Sequence, residues 1–264
     1  MIDLHCHVLA GLDDGPQTIE RSIALARAAA ATGIHTIVAT PHVNSRYRND
    51  APAIQRVVEK TNATFAAAGL AVSVVAGAEI AITSASDLRP TELSALALGN
   101  GPWVLIEPPF TSVSYGLDIL ISDLQDRGHR IVLAHPERCP AFHRDPRMLA
   151  SLVDGGALTS VTAGALVGRF GDAVRRFAHR LIEGEMIHNV SSDAHDCDRR
   201  PPGMSAELEQ SGLGALGDWL TCTVPAAIIE GKESIPPHPA VAVPMIRRMR
   251  RLRWRPGDLL RRAW

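Results

Sequence analysis

Residues 2–15 read IDLHCHVLAGLDDG. The first part is a short apolar run that ends in a His-Cys-His triplet and has no helical period, as expected of a buried strand with polar groups at its C-terminal end. The pattern recurs along the chain. Further strands are predicted at 36–39, 72–76, 103–106, 131–134, 159–162 and 187–190. Between them lie stretches of helical period at 17–32, 53–68, 115–127, 147–154 and 172–183. Gly33, Gly69, Gly128 and Gly184 stand directly after four of these as left-handed stops. This alternation predicts an α/β fold in which seven parallel strands form a barrel more readily than an open sheet, and 264 residues is an ordinary length for one. The proline-rich segment 235–239 closes the body, so the expected division is a barrel over 1–236 and a Pro- then Arg-rich extension over 237–264.

Composition narrows the class. With 46% apolar and 21% charged residues the chain is ordinary globular material. Its four cysteines, Cys6, Cys139, Cys197 and Cys222, lack CxxC spacing, which argues against a disulfide framework or zinc ribbon and for a reducing compartment. No basic-then-apolar leader and no run of ~20 apolar residues appears, so the expected location is cytoplasmic. The near-neutral charge hides an asymmetry: residues 247–264 carry eight arginines against Asp258 alone, while 1–246 carry 19 basic and 27 acidic residues. An acidic body speaks against nucleic acid as a partner.

The placement of His, Asp and Glu carries the chemistry. His5 and His7 close the first strand and His42 follows the second, with Glu79, Glu107 and His135 after the third, fourth and fifth and Asp193 with His195 after the seventh. Six of seven strands thus deliver a possible metal ligand to the face where barrel enzymes build their sites. Residues i and i+2 of a strand share a face, so His5 and His7 can act together while Cys6 points away. Imidazole and carboxylate donors suit manganese, iron or zinc, and so many of them imply two or three ions. Other chemistries lack their residues. Six positions beyond the cysteines stand Leu12, Asp145, Gly203 and Ile228, never the arginine that a cysteine phosphatase loop requires. Walker, dinucleotide and GxSxG signatures are absent too.

The segments IDLHCHVLAGLDDG, ATPH (39–42), AGAEI (76–80), VLIEPPF (104–110), LAHPER (133–138) and SSDAHDCDRRPP (191–202) resemble the PHP (polymerase and histidinol phosphatase) family. Within it they are most similar to the bacterial capsule and exopolysaccharide protein-tyrosine phosphatases. The motifs keep family order over nearly all of 1–236. The resemblance implies a distorted (β/α)7 barrel with a trinuclear centre of divalent ions, manganese first and iron or zinc as alternatives. One ion would rest on His5, His7, Glu79 and Asp193, a second on Glu79, Glu107 and His135, and a third on Asp14, His42 and His195. The family's seven-residue step from the second histidine selects Asp14 over its neighbour Asp13. Arg138 and Arg200 would bind phosphate, and Asp193 could take a proton from the metal-bridging hydroxide that attacks phosphorus.

The implied substrate is a phosphotyrosine protein, a bacterial tyrosine autokinase of polysaccharide export. A small-metabolite phosphatase such as histidinol phosphatase is the alternative; a nuclease module or a non-enzymatic scaffold fits less well. The arginines of 244–264 predict a short basic amphipathic helix broken at Pro256–Gly257. It would either pack on the barrel or touch the inner-membrane surface or a kinase segment. No motif sets an oligomeric state.

Overall fold

In the computed structural model, which describes residues 1–99, 101–111 and 116–239, each expected strand position carries a strand, and two carry a pair. The strands are β1 (Ile2–Cys6), β2 (Thr36–Ala39), β3 (His42–Val43), β4 (Ser73–Ala76), β5 (Glu79–Ala81), β6 (Trp103–Glu107), β7 (Arg130–Ala134), β8 (Leu158–Thr162) and β9 (Asn189–Ser191). They pair in parallel as β1-β2-β4 and as β3-β5-β6-β7-β8-β9. The second and third expected strands each kink where the sheets divide, at Thr40–Pro41 and Gly77–Ala78. Pro41 has no N–H for a ladder. A Cβ on Gly77 would come 2.9 Å from Val38 Cγ1 and 3.0 Å from Leu98 Cδ2, so glycine permits that close turn.

Backbone bonds carry the arrangement through these breaks. Thr40 N donates to Cys6 O at 3.0 Å, and Gly99 N to Ala76 O at 2.9 Å. At the other seam His7 N donates to Ala194 O and Asp193 N to His5 O, both at 2.9 Å, with a parallel bridge Cys6–Ala194. The last strand therefore lies beside the first, and the seven positions form a distorted (β/α) barrel whose seams are held by one or two backbone bonds instead of continuous ladders.

Helices cover the outside. The longest, Ala51–Ala67, starts at Asp50, whose carboxylate accepts from Ala53 N at 2.8 Å. Helix Asp172–Glu183 buries Phe177, Ala178 and Leu181, the apolar stripe of an amphipathic helix. Gly33, Gly69 and Gly128 take positive φ as expected. Gly184 does not: Glu185 takes the left-handed turn at φ 56° instead. The last strand also lies further on than expected, at Asn189–Ser191. Short helices at Ser205–Gln210 and Val224–Ile229 have no counterpart in the periodicity. Trp103 and Trp219 fasten the following segment, donating from Nε1 to Lys232 O at 2.7 Å and to Pro236 O at 3.2 Å. The predicted tail helix of 244–264 falls outside the described residues, as does the expected helix start at Tyr115. Among the described residues no helix is long and apolar enough to cross a membrane.

Candidate metal centre

The strand ends bring all nine expected ligands together. His5, near the end of β1, and His7, just beyond it, have their Nε2 atoms 3.2 Å apart. Pairing of β3 with β5 sets His42 opposite Glu79. Glu79 Oε2 lies 3.3 Å from both His5 Nε2 and His7 Nε2 and 3.0 Å from His42 Nδ1. Asp193 Oδ1 lies 3.4 and 3.5 Å from the same two Nε2 atoms. On the other side Glu79 Oε1 meets His135 Nε2 at 2.8 Å, with Glu107 Oε1 3.7 Å from that nitrogen. Asp14 Oδ1 stands 3.5 Å from His42 Nε2 and 3.3 Å from His195 Nε2. Most of these contacts lie within the sets that the resemblance implies, but His42 also reaches Glu79 across two of them.

Donor chemistry and spacing fit divalent ions. Ligand atoms about 2.0–2.2 Å from one ion sit roughly 3.0–3.5 Å from each other, and most separations above fall there. Three overlapping clusters hold ligand atoms within 4.8 Å of one another: His7, Asp14, His42 and His195; His5, His7 and Asp193; His42, Glu79 and Glu107. Glu79 Oε2 and Asp193 Oδ1 are buried and make no hydrogen bond despite these neighbours. Charge balance agrees. The carboxylates of Asp13, Asp14, Glu79, Glu107 and Asp193 face only the guanidiniums of Arg138 and Arg200, a deficit that protons on imidazole or bound cations must fill.

Ionisation follows the same imbalance. Burial would raise the carboxyls of Glu79 and Asp193, but His5 and the other imidazoles, with Arg200 for Asp193, hold both well below the usual range. Burial and the neighbouring Glu79 charge push Glu107 up to about 7. His7 rises well above its ordinary value despite burial, through Asp13, Asp193 and Glu79. His135 falls to about 4 from burial and the nearby Arg138. Protons and metals therefore compete for the same nitrogens.

Two ligand positions sit in left-handed backbone, His135 at φ 31° and Asp193 at φ 52°. Such conformations cost of order 1–3 kcal/mol in a non-glycine residue and persist where surroundings enforce them. At Asp193 the enforcement comes from Asp3, which accepts from Ser192 N at 3.0 Å and from Ser192 Oγ. Sequence reasoning passed over Asp3, although a carboxylate within a buried apolar strand is itself a signal. Asp13, the neighbour set aside in favour of Asp14, has a second role. Its Oδ2 is 2.6 Å from His7 Nδ1 and accepts from His42 N at 3.0 Å, and its Oδ1 accepts from Gly15 N at 2.9 Å. Asn49 supports this side by donating to Leu12 O and His42 O. Glu137, also missed, ties in the strand that supplies no ligand by accepting from Thr162 N at 3.0 Å.

Arg138 and Arg200 converge on Asp193 Oδ2, Arg138 through Nη1 at 2.6 Å and Arg200 through Nη2. Arg200 Nη1 also donates to His195 Nε2 at 2.9 Å, and its Nε has no hydrogen-bond partner.

Fold and site together define a (β/α)-barrel protein whose strand ends carry clustered groups that could hold metal. More narrowly, residues 1–211 match the model of the CpsB/CapC family of capsular polysaccharide synthesis, and the chain belongs to that family. It is 38% identical over 201 residues to tyrosine-protein phosphatase YwqE of Bacillus subtilis, covering 76% of this chain and 79% of the relative. It is 32% identical to putative tyrosine-protein phosphatase CapC of Staphylococcus aureus over the same shares. A solved structure from work on YwqE and on CpsB of Streptococcus pneumoniae, described as unique metal-dependent tyrosine phosphatases, superposes with a TM-score of 0.79 at 34% identity. That match covers 91% of this chain and all of the other.

Proposed function

We propose that the protein is a metal-dependent protein-tyrosine phosphatase. The observation that carries this reading is the division of labour at Asp193: Oδ1 faces His5 and His7, while Oδ2 holds Arg138 and Arg200. Anion-binding guanidiniums thus sit directly beside the candidate ligands. The family relationship supports the reading, because its relatives are named as tyrosine phosphatases and a structural relative is described as metal-dependent.

His5, His7, Glu79 and Asp193 would hold one ion, Glu79, Glu107 and His135 a second, and Asp14, His42 and His195 a third. Ions held there supply Lewis-acid neutralisation of phosphoryl charge and a nucleophile at neutral pH. The chain's own groups do the rest. Arg138 is braced between Phe170 and Phe110, its Cζ 4.6 and 5.2 Å from their ring centroids, so its planar fork is oriented before substrate arrives. Arg200 adds a second guanidinium at the same Asp193 oxygen. Asp193, held well below the usual carboxylate range, suits binding better than taking up a proton. A tyrosinate leaving group, with a pKa near 10, needs little protonation help.

Oxygen and nitrogen donors favour manganese or iron, with zinc a further candidate. The substrate we infer, from the family's link to capsular polysaccharide synthesis, is phosphotyrosine on a tyrosine autokinase of that process. The test is phosphate release from a phosphotyrosyl peptide and from histidinol phosphate, beside strand cleavage of single-stranded DNA, each with Mn²⁺ and with chelator. Metal-dependent turnover of the peptide is expected; preference for either other substrate would overturn the reading.

A further inference from the structure

Among the described residues, only Phe110 and Ile119 are exposed large apolar side chains, at 51% and 70%. Ile119 is a surface residue of helix Leu117–Asp126. Phe110 stands at the candidate site. Its ring stacks on His135 with centroids 5.3 Å apart and planes 24° apart, and the Arg138 guanidinium lies 5.2 Å from its centroid. Half of the ring nevertheless remains in water, beside an arginine placed to bind phosphate. Tyr47, the aromatic residue against His42, differs: its ring stacks on His42 at 6.0 Å and carries the Arg46 guanidinium at 4.9 Å, leaving it half-buried.

We infer that Phe110 is the specificity-determining contact for the substrate's aryl ring, offering its open surface to the phenyl group of a phosphate ester bound at Arg138. The inference rests on the phosphatase reading above. In a phenyl phosphate one oxygen separates phosphorus from the ring, so a phosphate held at Arg138 brings its ring within reach of the side chain flanking that guanidinium. Offset or edge-to-face contact between the rings favours aryl over alkyl ligands by about two- to tenfold. Ligands with the same head group and no ring gain nothing.

The test compares phenylphosphonate and methylphosphonate as inhibitors of phosphotyrosyl-peptide turnover by metal-loaded full-length protein. Wild type should bind phenylphosphonate two- to tenfold more tightly. Phe110→Ala should bring the ratio of the two inhibition constants close to one, and Phe110→Trp should restore it. An unchanged ratio in Phe110→Ala, or an equal rise in both constants, would overturn the inference, the second by showing that Phe110 only braces Arg138. So would collapse of the ratio in Tyr47→Ala with Phe110 intact. If wild type releases no phosphate from the peptide and neither phosphonate protects it from heat, the phosphatase reading itself fails, and this inference with it.

Discussion

Replacing Asp13 with asparagine should weaken metal binding although Asp13 contributes to none of the ligand clusters. Its Oδ2 faces two groups, His7 Nδ1 at 2.6 Å and His42 N at 3.0 Å. With the amide nitrogen there, His7 can keep a partner only by using Nδ1 as acceptor. That moves the imidazole proton to Nε2, the atom facing Glu79 and Asp193 and the one an ion needs. Flipping the amide merely sets its NH₂ against Gly15 N instead. Loss of such an outer partner typically lowers metal affinity 10–100-fold, about 1.4–2.7 kcal/mol. An unpaired buried N–H adds about 1–3 kcal/mol of instability even without metal. Calorimetric titration of Mn²⁺ into chelator-stripped Asp13→Asn, with circular dichroism to verify folding, measures both. Asp14→Asn provides the contrast, since it changes a candidate ligand itself and leaves the Asp13–His7 contact in place. Wild-type metal affinity in folded Asp13→Asn would refute the argument.

Three further outcomes follow from the same geometry. Stripping metal should lower the melting temperature: at free metal of about 100 times Kd, bound ions contribute about 2.7 kcal/mol, or roughly 5–10 °C for a chain of this size, and identical melting with and without chelator would argue against a resident ion. Arg200→Lys should reduce kcat/KM at least about tenfold with metal content retained, because a point charge cannot reproduce the fork; loss of metal would assign Arg200 to the metal centre instead. His188 accepts from Thr159 N at 3.1 Å, and burial, then the His238 charge, lowers it to about 4. Between about pH 6.5 and 4 the unfolded chain therefore binds a proton that the folded one refuses, so stability is full above 6.5 and falls by about 3 kcal/mol on acidification. In chelator, His188→Asn should flatten that slope relative to wild type, and equal slopes would show that His188 is not responsible.

The strand positions and their polar ends were legible because parallel strands buried on both faces leave apolar runs, and a histidine or carboxylate at the end of six of the seven interrupts the run. Pairing was not legible. Pro41 and Gly77 mark places where the chain can kink, but nothing local says that the kinks set His42 opposite Glu79. Asp13 and Asp14 could not be told apart by residue type. They are separated by direction, one turned under His7 and the other left 49% exposed near His195. Asp3 and Glu137 act through backbone N–H groups distant in sequence, Ser192 and Thr162, which no spacing rule connects. The short helices after residue 204 owe their form to packing on the barrel, beyond the reach of periodicity.

In the proposed reaction one centre of nine histidines and carboxylates, with two arginines, hydrolyses phosphotyrosine with the help of bound metal. Its most direct test is the rate of phosphate release from a phosphotyrosyl peptide by chelator-stripped protein as Mn²⁺ is added back, with bound metal counted in the same samples. Activity should be absent at zero occupancy, rise with the ions bound, and stay absent in Glu79→Gln, whose carboxylate faces His5, His7 and His42 through one oxygen and His135 through the other. Full turnover by metal-free protein, or no turnover at any occupancy, would contradict the account.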